Sequence, residues 1–220
     1  MSTPTPSQPS PYRWMIRVLA VLLVAVIVYR FSTETPSPDQ GRVSTVLPPK
    51  KLLVPNFSLT ERSGRTITNH DLAGKVWVAD FVYTTCPGPC PLITANMVKL
   101  QAAVANDPRV QLVTFTVDPQ TDTPAILSAY ADKYGADKNR WWFLTGPEKP
   151  LYNLIQNGFY QAVEDNRGKP LEEGQFTVTH STYFALIDAD GYFRNSYEGV
   201  GPEGRAQLLK GIKALEEEQP

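Results

Sequence analysis

Charge of either sign is not in excess in these 220 residues: 21 Lys+Arg stand against 22 Asp+Glu. That balance removes the electrostatic footprint expected of a nucleic-acid binder and leaves no basic patch for acidic lipid. Internal repeats are absent as well, so no solenoid or propeller competes for the fold. Thiols and imidazoles are the scarcest reactive groups, with two cysteines, Cys86 and Cys90, and two histidines, His70 and His180. Any thiol or imidazole chemistry must pass through these four residues.

The first twelve residues are rich in Ser, Thr, Pro and Gln and lack the apolar content to fold, which predicts a disordered tail over 1–12. Trp14 to Phe31 is apolar apart from Arg17 and Arg30. As a helix it is about 27 Å long, close to the hydrocarbon core of a bilayer. The expectation is a single transmembrane anchor over 13–31, with Arg17 snorkelling and Trp14 and Tyr29 at the interfaces. No small-x-small cleavage site follows Val28, which favours an anchor over a cleaved signal peptide, and the segment before it is not the Arg-rich amphipath of a mitochondrial transit sequence. Arg13 and Arg17 place the N-terminus in the cytoplasm. The expected location is therefore the inner membrane of a bacterium, with the rest of the chain in the periplasm or outside the cell. Residues 32–51 carry Pro36, Pro38, Pro48 and Pro49 and read as an extended linker.

A globular domain is expected over 52–218. Leu53 to Thr60, a turn at Ser63-Gly64 and Thr66 to Thr68 read as a short hairpin that leads into the buried run Val76 to Tyr83. Apolar positions Ile93, Met97, Leu100 and Val104 then trace one helical face. Val110 to Val117 is a second strand, and Thr123-Pro124 caps a second helix running to about Gly135. Trp141 to Thr145 and Leu151 to Phe159 add a third strand and helix. Gln161 to Thr179 breaks the rhythm and reads as a surface excursion, while Asp188 to Gly191 turns a hairpin between Ser181–Ile187 and Tyr192–Tyr197. Leu208, Leu209, Ile212 and Leu215 face inward on a final helix. Parallel strands joined by helices, then an antiparallel hairpin, predict an α/β thioredoxin-like fold: a central mixed sheet flanked by helices.

Cys86 and Cys90 fall where the first strong strand meets its helix, in Thr85-Cys86-Pro87-Gly88-Pro89-Cys90-Pro91. At such a mouth the helix dipole and unpaired N–H groups favour thiolates, so the pair is expected to be reactive. A purely structural disulfide is a weak reading, because so small a loop removes little unfolded-state entropy. Two residues separate the cysteines of thioredoxin-type oxidoreductases, whereas three separate these, which leaves room for a metal ion between the sulfurs. Two thiolates select a soft ion such as Cu(I), and an added imidazole would also admit Cu(II). His70 reads as a solvated loop residue. His180, at the end of the excursion and the start of the next strand, which in this fold approaches the helix mouth, is open to two roles, as a ligand or as a hydrogen-bonding loop residue.

Cys86-Pro87-Gly88-Pro89-Cys90-Pro91, then Val117-Asp118-Pro119-Gln120-Thr121-Asp122-Thr123-Pro124, then His180-Ser181 ahead of Phe184 to Asp188, together resemble the Sco/SenC family over roughly Leu52 to Leu215. The resemblance implies a membrane-tethered copper protein that helps assemble the binuclear copper centre of cytochrome c oxidase. Cys86, Cys90 and His180 would be the copper ligands, Cys86 and Cys90 also a redox disulfide, and Asp118 and Asp122 candidates to steady the metal loop. Asp122 could equally be a turn or cap residue. Partners would be the oxidase's copper-binding subunit and another copper chaperone or a thiol-disulfide reductase. The loop residues Gly88 and Pro89 are unusual for that pattern, and no Asp immediately precedes His180. A thiol-disulfide oxidoreductase that reduces the acceptor's cysteines, a peroxidase, and a copper or redox sensor use the same residues and stay open.

Overall fold

A computed structural model describes residues 11–33, 52–170 and 176–218. The expected tail, apart from its last two residues, and almost all of the expected linker lie outside them. The chain divides into two compact units, Met1–Val43 and Ser44–Pro220.

The first unit contributes helix α1, Pro11–Thr33. Met15, Leu19, Val21 and Leu23 are among its exposed apolar side chains. Among the described residues no helix is long and apolar enough to cross a membrane. Within α1 the unbroken stretch with described side chains is Met15–Val26, shorter than the roughly 20 residues of a span, so the described residues do not show the expected anchor.

The second unit carries strands β1 (Leu52–Leu53), β2 (Ser58–Glu61), β3 (Thr66–Thr68), β4 (Val76–Val82), β5 (Val110–Thr116), β6 (Trp141–Thr145), β7 (Val163–Asp165), β8 (Val178–His180), β9 (Tyr183–Ile187) and β10 (Tyr192–Glu198). Its helices are α2 (Cys90–Ala103), α3 (Pro124–Lys133), α4 (Glu148–Gly158) and α5 (Pro202–Glu217). The main sheet runs β1-β10-β9-β4-β5-β6-β2-β3. Its centre, β4-β5-β6, is parallel, and β9 joins β4 antiparallel. Every residue of β4 and β5 is buried, as expected of parallel strands covered on both faces.

Each helix obeys a local rule. Thr123 caps α3, its hydroxyl accepting from the Ile126 N–H, with Pro124 next. In α2, Ile93, Met97 and Leu100 are buried, and Leu208, Ile212 and Leu215 do the same for α5, with Leu209 packed at the core's edge. An aromatic cluster of Phe81, Phe115, Phe159 and Trp77 fills the core, with ring centroids 5.1–5.9 Å apart.

Two details differ from the sequence reading. Leu52–Leu53 does not extend the opening hairpin but pairs with β10 at the opposite edge of the sheet. His180 does not begin the strand that follows it. It ends β8, which among the described residues pairs with β7 alone in a separate two-stranded sheet, Val163 opposite His180. The excursion is thus a satellite hairpin, and the polar composition that marked it as surface is why it forms no part of the main sheet.

Candidate metal centre

β4 is buried throughout, so the chain leaving it at Tyr83 is held in a fixed place and direction. Cys86 lies in the loop that follows, and Cys90 opens α2. The satellite hairpin brings His180 across to meet them. The two Sγ atoms and the imidazole nitrogen all lie within 4.8 Å of one another. Three ligands each about 2.3 Å from a soft ion stand ~4.0 Å apart in a trigonal plane, so the trio needs to close by less than ~1 Å to share one. Among the described residues this is the one cluster of three His, Cys, Asp or Glu ligands so compact. His70 is exposed on a 3-10 turn, Asn69–Leu72, outside it.

The imidazole is oriented for coordination. Its Nδ1 lies 2.9 Å from the Ser181 carbonyl oxygen. A carbonyl only accepts, so Nδ1 carries the proton and Nε2 keeps its lone pair. Nε2 is 3.2 Å from Cys90 Sγ. A fixed tautomer of this kind, set by the nitrogen that does not face the ligand cluster, is how protein imidazoles are readied for metals.

The two thiols differ. Cys86 is half-buried and Cys90 is buried. The Cys90 thiol, the His180 ring and the backbone N–H groups of Cys90 and Gly88 together outweigh desolvation and bring the Cys86 thiol down to about 4. The Gly88 N–H points at Cys86 Sγ from 3.4 Å. Cys90 is pushed the other way, by the neighbouring Cys86 sulfur first and by burial second. One sulfur is therefore a ready thiolate, and the other holds a proton that must leave before both can bind an ion.

Asp122 and Asp118 hold different parts of the centre. The fully buried Asp122 carboxylate receives the Thr84 N–H at 3.2 Å and the Thr84 and Thr116 hydroxyls at 2.5 Å each. It thereby ties the end of β5 to the residue two before Cys86. Burial raises its pKa against these bonds. Asp118 instead pairs with Arg167 of the satellite hairpin, at 3.0 Å. Arg167 also contacts Asp165 and Glu148. Asp122 braces the cysteine loop and Asp118 braces the hairpin that carries the histidine.

Four further residues belong to the site. Asp80, in the middle of β4, is fully buried, accepts from the Thr114 hydroxyl at 2.5 Å and leaves Oδ2 without a hydrogen-bond partner. Desolvation raises it to about 7 against the Thr114 bond, with a smaller lowering from His180 whenever that ring is protonated. Tyr83 sets its ring edge-on to His180, centroids 5.9 Å apart. Phe176 lies on Gly88 so closely that a β-carbon there would stand 2.6 Å from Phe176 Cζ. Arg167 is the fourth. A lone carboxylate inside Val76-Trp77-Val78-Ala79-Asp80-Phe81-Val82 was the available signal for Asp80, whereas nothing in the sequence marks Arg167 or Phe176.

Two cavities lie away from the cluster. Each is about 430 Å³, lined in one case by Arg62, Arg65, Lys138 and Trp142, and in the other by His70, Trp77 and Asp190. Neither touches Cys86, Cys90 or His180.

A thioredoxin-like sheet with a reactive thiol pair at its first parallel strand-to-helix junction and an imidazole folded over it defines the class: a thioredoxin-like protein with a soft-metal or redox centre. The chain belongs to the SCO1/SenC family, whose model matches residues 46–215. It is 31% identical over 160 residues to the SCO1 protein homolog of Bacillus subtilis, covering 72% of this chain and 80% of that one. Among solved structures it resembles a SCO1/SenC family lipoprotein from Bacillus anthracis, at 34% identity and a TM-score of 0.67, over 75% of this chain and 95% of that one. It also resembles BsSco, described as having a disulfide switch and as a member of the Sco family of cytochrome c oxidase assembly proteins, at 31% identity and a TM-score of 0.63, over 74% and 93% of the two chains. Yeast Sco1 with copper bound, at 23% identity and a TM-score of 0.60 over 74% and 90%, shares the fold.

Proposed function

We propose that this protein is a membrane-anchored copper metallochaperone: Cys86, Cys90 and His180 bind copper as cargo and deliver it to the binuclear copper centre of cytochrome c oxidase. The observation that carries the reading is the convergence of two sulfurs and an unprotonated imidazole nitrogen within 4.8 Å. That donor set suits Cu(I) through its thiolates and admits Cu(II) through its imidazole. Loading requires the Cys90 proton to leave. Unloading proceeds by ligand exchange, incoming thiolates of the oxidase subunit replacing Cys86 and Cys90 one at a time. Closing the Cys86–Cys90 disulfide gives up two electrons to an acceptor and removes both sulfur ligands, so thiol redox state gates delivery.

In this reading residues 1–12 are a tail, 13–31 the anchor in a bacterial inner membrane, 32–51 the tether and 52–218 the copper-binding domain on the periplasmic or outer side. Anchoring in the oxidase's own membrane raises the local concentration of donor at acceptor. Support for the anchor is the 23-residue helix α1 with its exposed apolar side chains.

A second reading, a thiol-disulfide reductase that prepares the oxidase's cysteines, is favoured by the low-lying Cys86 thiol. One experiment separates them: copper stoichiometry of the reduced protein and of His180→Ala, alongside thiol exchange with a disulfide substrate. The chaperone reading expects one copper per chain in the wild type, loss of tight binding in His180→Ala, and thiol exchange kept in both. A reduced wild type that retains no copper would hand the function to the reductase.

A further inference from the structure

The cleft bounded by Arg62, Arg65, Lys138 and Trp142 also takes in Ser128 and Asn139. Lys138 and Asn139 lead into β6, so it sits toward the starting ends of the parallel strands, whereas the cysteines follow the finishing end of β4. Its two walls come from separate stretches, the turn between β2 and β3 and the loop between α3 and β6. Arg62 clamps them together. It is 6% exposed, its guanidinium lies 5.3 Å from the centroid of the Phe143 ring, and its Nη2 donates to the Ala136 carbonyl at 3.0 Å. The loop is held again at Asp137, whose N–H donates to Gln101 Oε1 at 2.9 Å and whose Oδ1 accepts the Asn139 N–H at 2.7 Å. The cleft is therefore built into the fold.

Its walls carry unmatched positive charge. Arg62 Nη1 is buried without a hydrogen-bond partner, and Asp132 Oδ1 stands 3.9 Å from it. Glu61 is the one carboxylate in the lining. Its Oε2 accepts the Ser63 N–H at 2.7 Å and its Oε1 lies 3.5 Å from Arg62 Nε, so Glu61 and Arg62 largely cancel each other. Arg65 and Lys138 have no such counterpart: both are exposed, and neither is in an ion pair among the described residues. Asp71, whose charge Arg65 feels, is engaged by the Thr68 N–H at 2.8 Å and hydroxyl at 2.9 Å. Arg65 is further fixed over the Trp142 ring, 4.8 Å from its centroid. A placed guanidinium, an ammonium and the hydroxyl and amide donors of Ser63, Ser128 and Asn139 make a set suited to phosphate oxygens. The even overall charge hid this set, because its members are far apart in sequence.

We propose that this cleft is a binding site for a small, at least doubly charged oxyanion of the phosphate-monoester or pyrophosphate class. Arg65 and Lys138 hold the anion, and the buried Arg62 keeps their two walls in register. Two cations without partners call for two negative charges, and a cleft of about 430 Å³ has room for more than one phosphoryl group. The site goes beyond the copper reading and does not rest on it.

The test is calorimetric titration of the full chain, in non-ionic detergent at pH 8, where a phosphate monoester carries about two charges. Pyrophosphate and glycerol phosphate are the probes, and both should bind saturably, one per chain. Arg65→Gln and Lys138→Gln should each weaken binding about tenfold, since each removes a hydrogen bond between charged partners. Both side chains are exposed, so the variants keep the fold, which urea unfolding of the metal-free chain verifies. Lys99→Gln, exposed on α2 outside the cleft, should leave binding unchanged. The absence of saturable heat from either probe overturns the proposal. So does equal weakening by Lys99→Gln, which would mark loose attraction to surface cations. Equally tight binding of glycerophosphoglycerol, a singly charged diester with the chemistry of a lipid headgroup, also overturns it, because the site would then not select for two charges. None of these results depends on copper, so this site and the chaperone reading can fail separately.

Discussion

Asp80 gives the sharpest test of the reasoning, because it is a fully buried carboxyl whose ionisation the fold resists. Its pKa rises from 3.8 to about 7, chiefly through desolvation. In the unfolded chain the group ionises near 3.8. Between the two values the folded state therefore binds the extra proton, and stability falls as pH rises. Asp80 costs nothing below about pH 4 and its full penalty above about pH 7. A shift of 3.2 units (7 − 3.8) at 1.36 kcal/mol each gives about 4 kcal/mol, an order-of-magnitude figure.

Asp80→Asn removes the titration while its amide oxygen can still accept from Thr114, which itself receives the Trp141 indole N–H at 2.7 Å. Relative to the parent, the variant should change little at pH 4 and gain progressively, reaching about 4 kcal/mol at pH 8. The depressed Cys86 thiol works oppositely, adding stability from about pH 4 up to its unfolded value near 9. Urea unfolding is thus best compared in a metal-free background carrying Cys86→Ser and Cys90→Ser, with and without Asp80→Asn, across pH 4–8. The slope of the difference is the test, since any fixed cost of the new amide is the same at every pH. A flat difference curve would refute the claim that Asp80 titrates within the core.

Asp122→Ala strands the Thr84 and Thr116 donors and should cost about 3 kcal/mol in urea unfolding, while also weakening copper retention through the loosened cysteine loop. An unchanged midpoint would mean that those bonds are replaced by water at no cost. Asp118→Ala removes the Arg167 pair, and hydrogen exchange at the Asn166 and Ser181 amides, which bond to the Thr177 and Ala162 carbonyls across the hairpin, should speed by about tenfold while the amides of β4 and β5 keep their protection. Exchange that quickens everywhere would show a global loss instead. Gly88→Val drives a side chain into Phe176, so the hairpin must shift, and copper should leave the site faster, read by transfer to a competing chelator. Leu208→Ala, at a fully buried position on α5, should destabilise by about 2–5 kcal/mol without altering copper stoichiometry.

The cysteine loop was legible because local rules build it: a wholly apolar strand, prolines that fix a short loop, and a helix with one apolar face. Thr123-Pro124 announced α3 for the same reason. What the sequence hid is relational. Leu52–Leu53 crosses to the far edge of the sheet because β10 leaves a free edge there, a fact about distant chain. The sequence distinguished His180 from His70 by neighbourhood, yet placed it on the wrong strand, since three residues of β8 give too short a pattern to separate from β9. Asp118 and Asp122 shared a motif but split into two roles, because their partners Arg167 and Thr84 come from opposite sides in sequence.

The division of the centre between two bodies has a chemical consequence. Both sulfurs stand on the main sheet, Cys86 in the loop after β4 and Cys90 in the first turn of α2, within a core of buried aromatics. The imidazole comes from a two-stranded hairpin that holds its place through Arg167, Phe176 and the His180 contact with Cys90. Such a hairpin is marginal alone, and these contacts, with Val163 and Val178 buried in the core and Gln156 Nε2 donating to the Val163 carbonyl, fix its position. Disulfide formation uses only the rigid part, whereas a three-coordinate metal site needs both. Thiol redox chemistry can thus persist when the hairpin swings away, and metal affinity can fall without any change in the sulfurs. A cargo site would gain from that arrangement: with Cys86, Cys90 and His180 as the proposed ligands, a shift of the hairpin would withdraw the imidazole while both sulfurs stayed in place, which would open a position for an incoming thiolate.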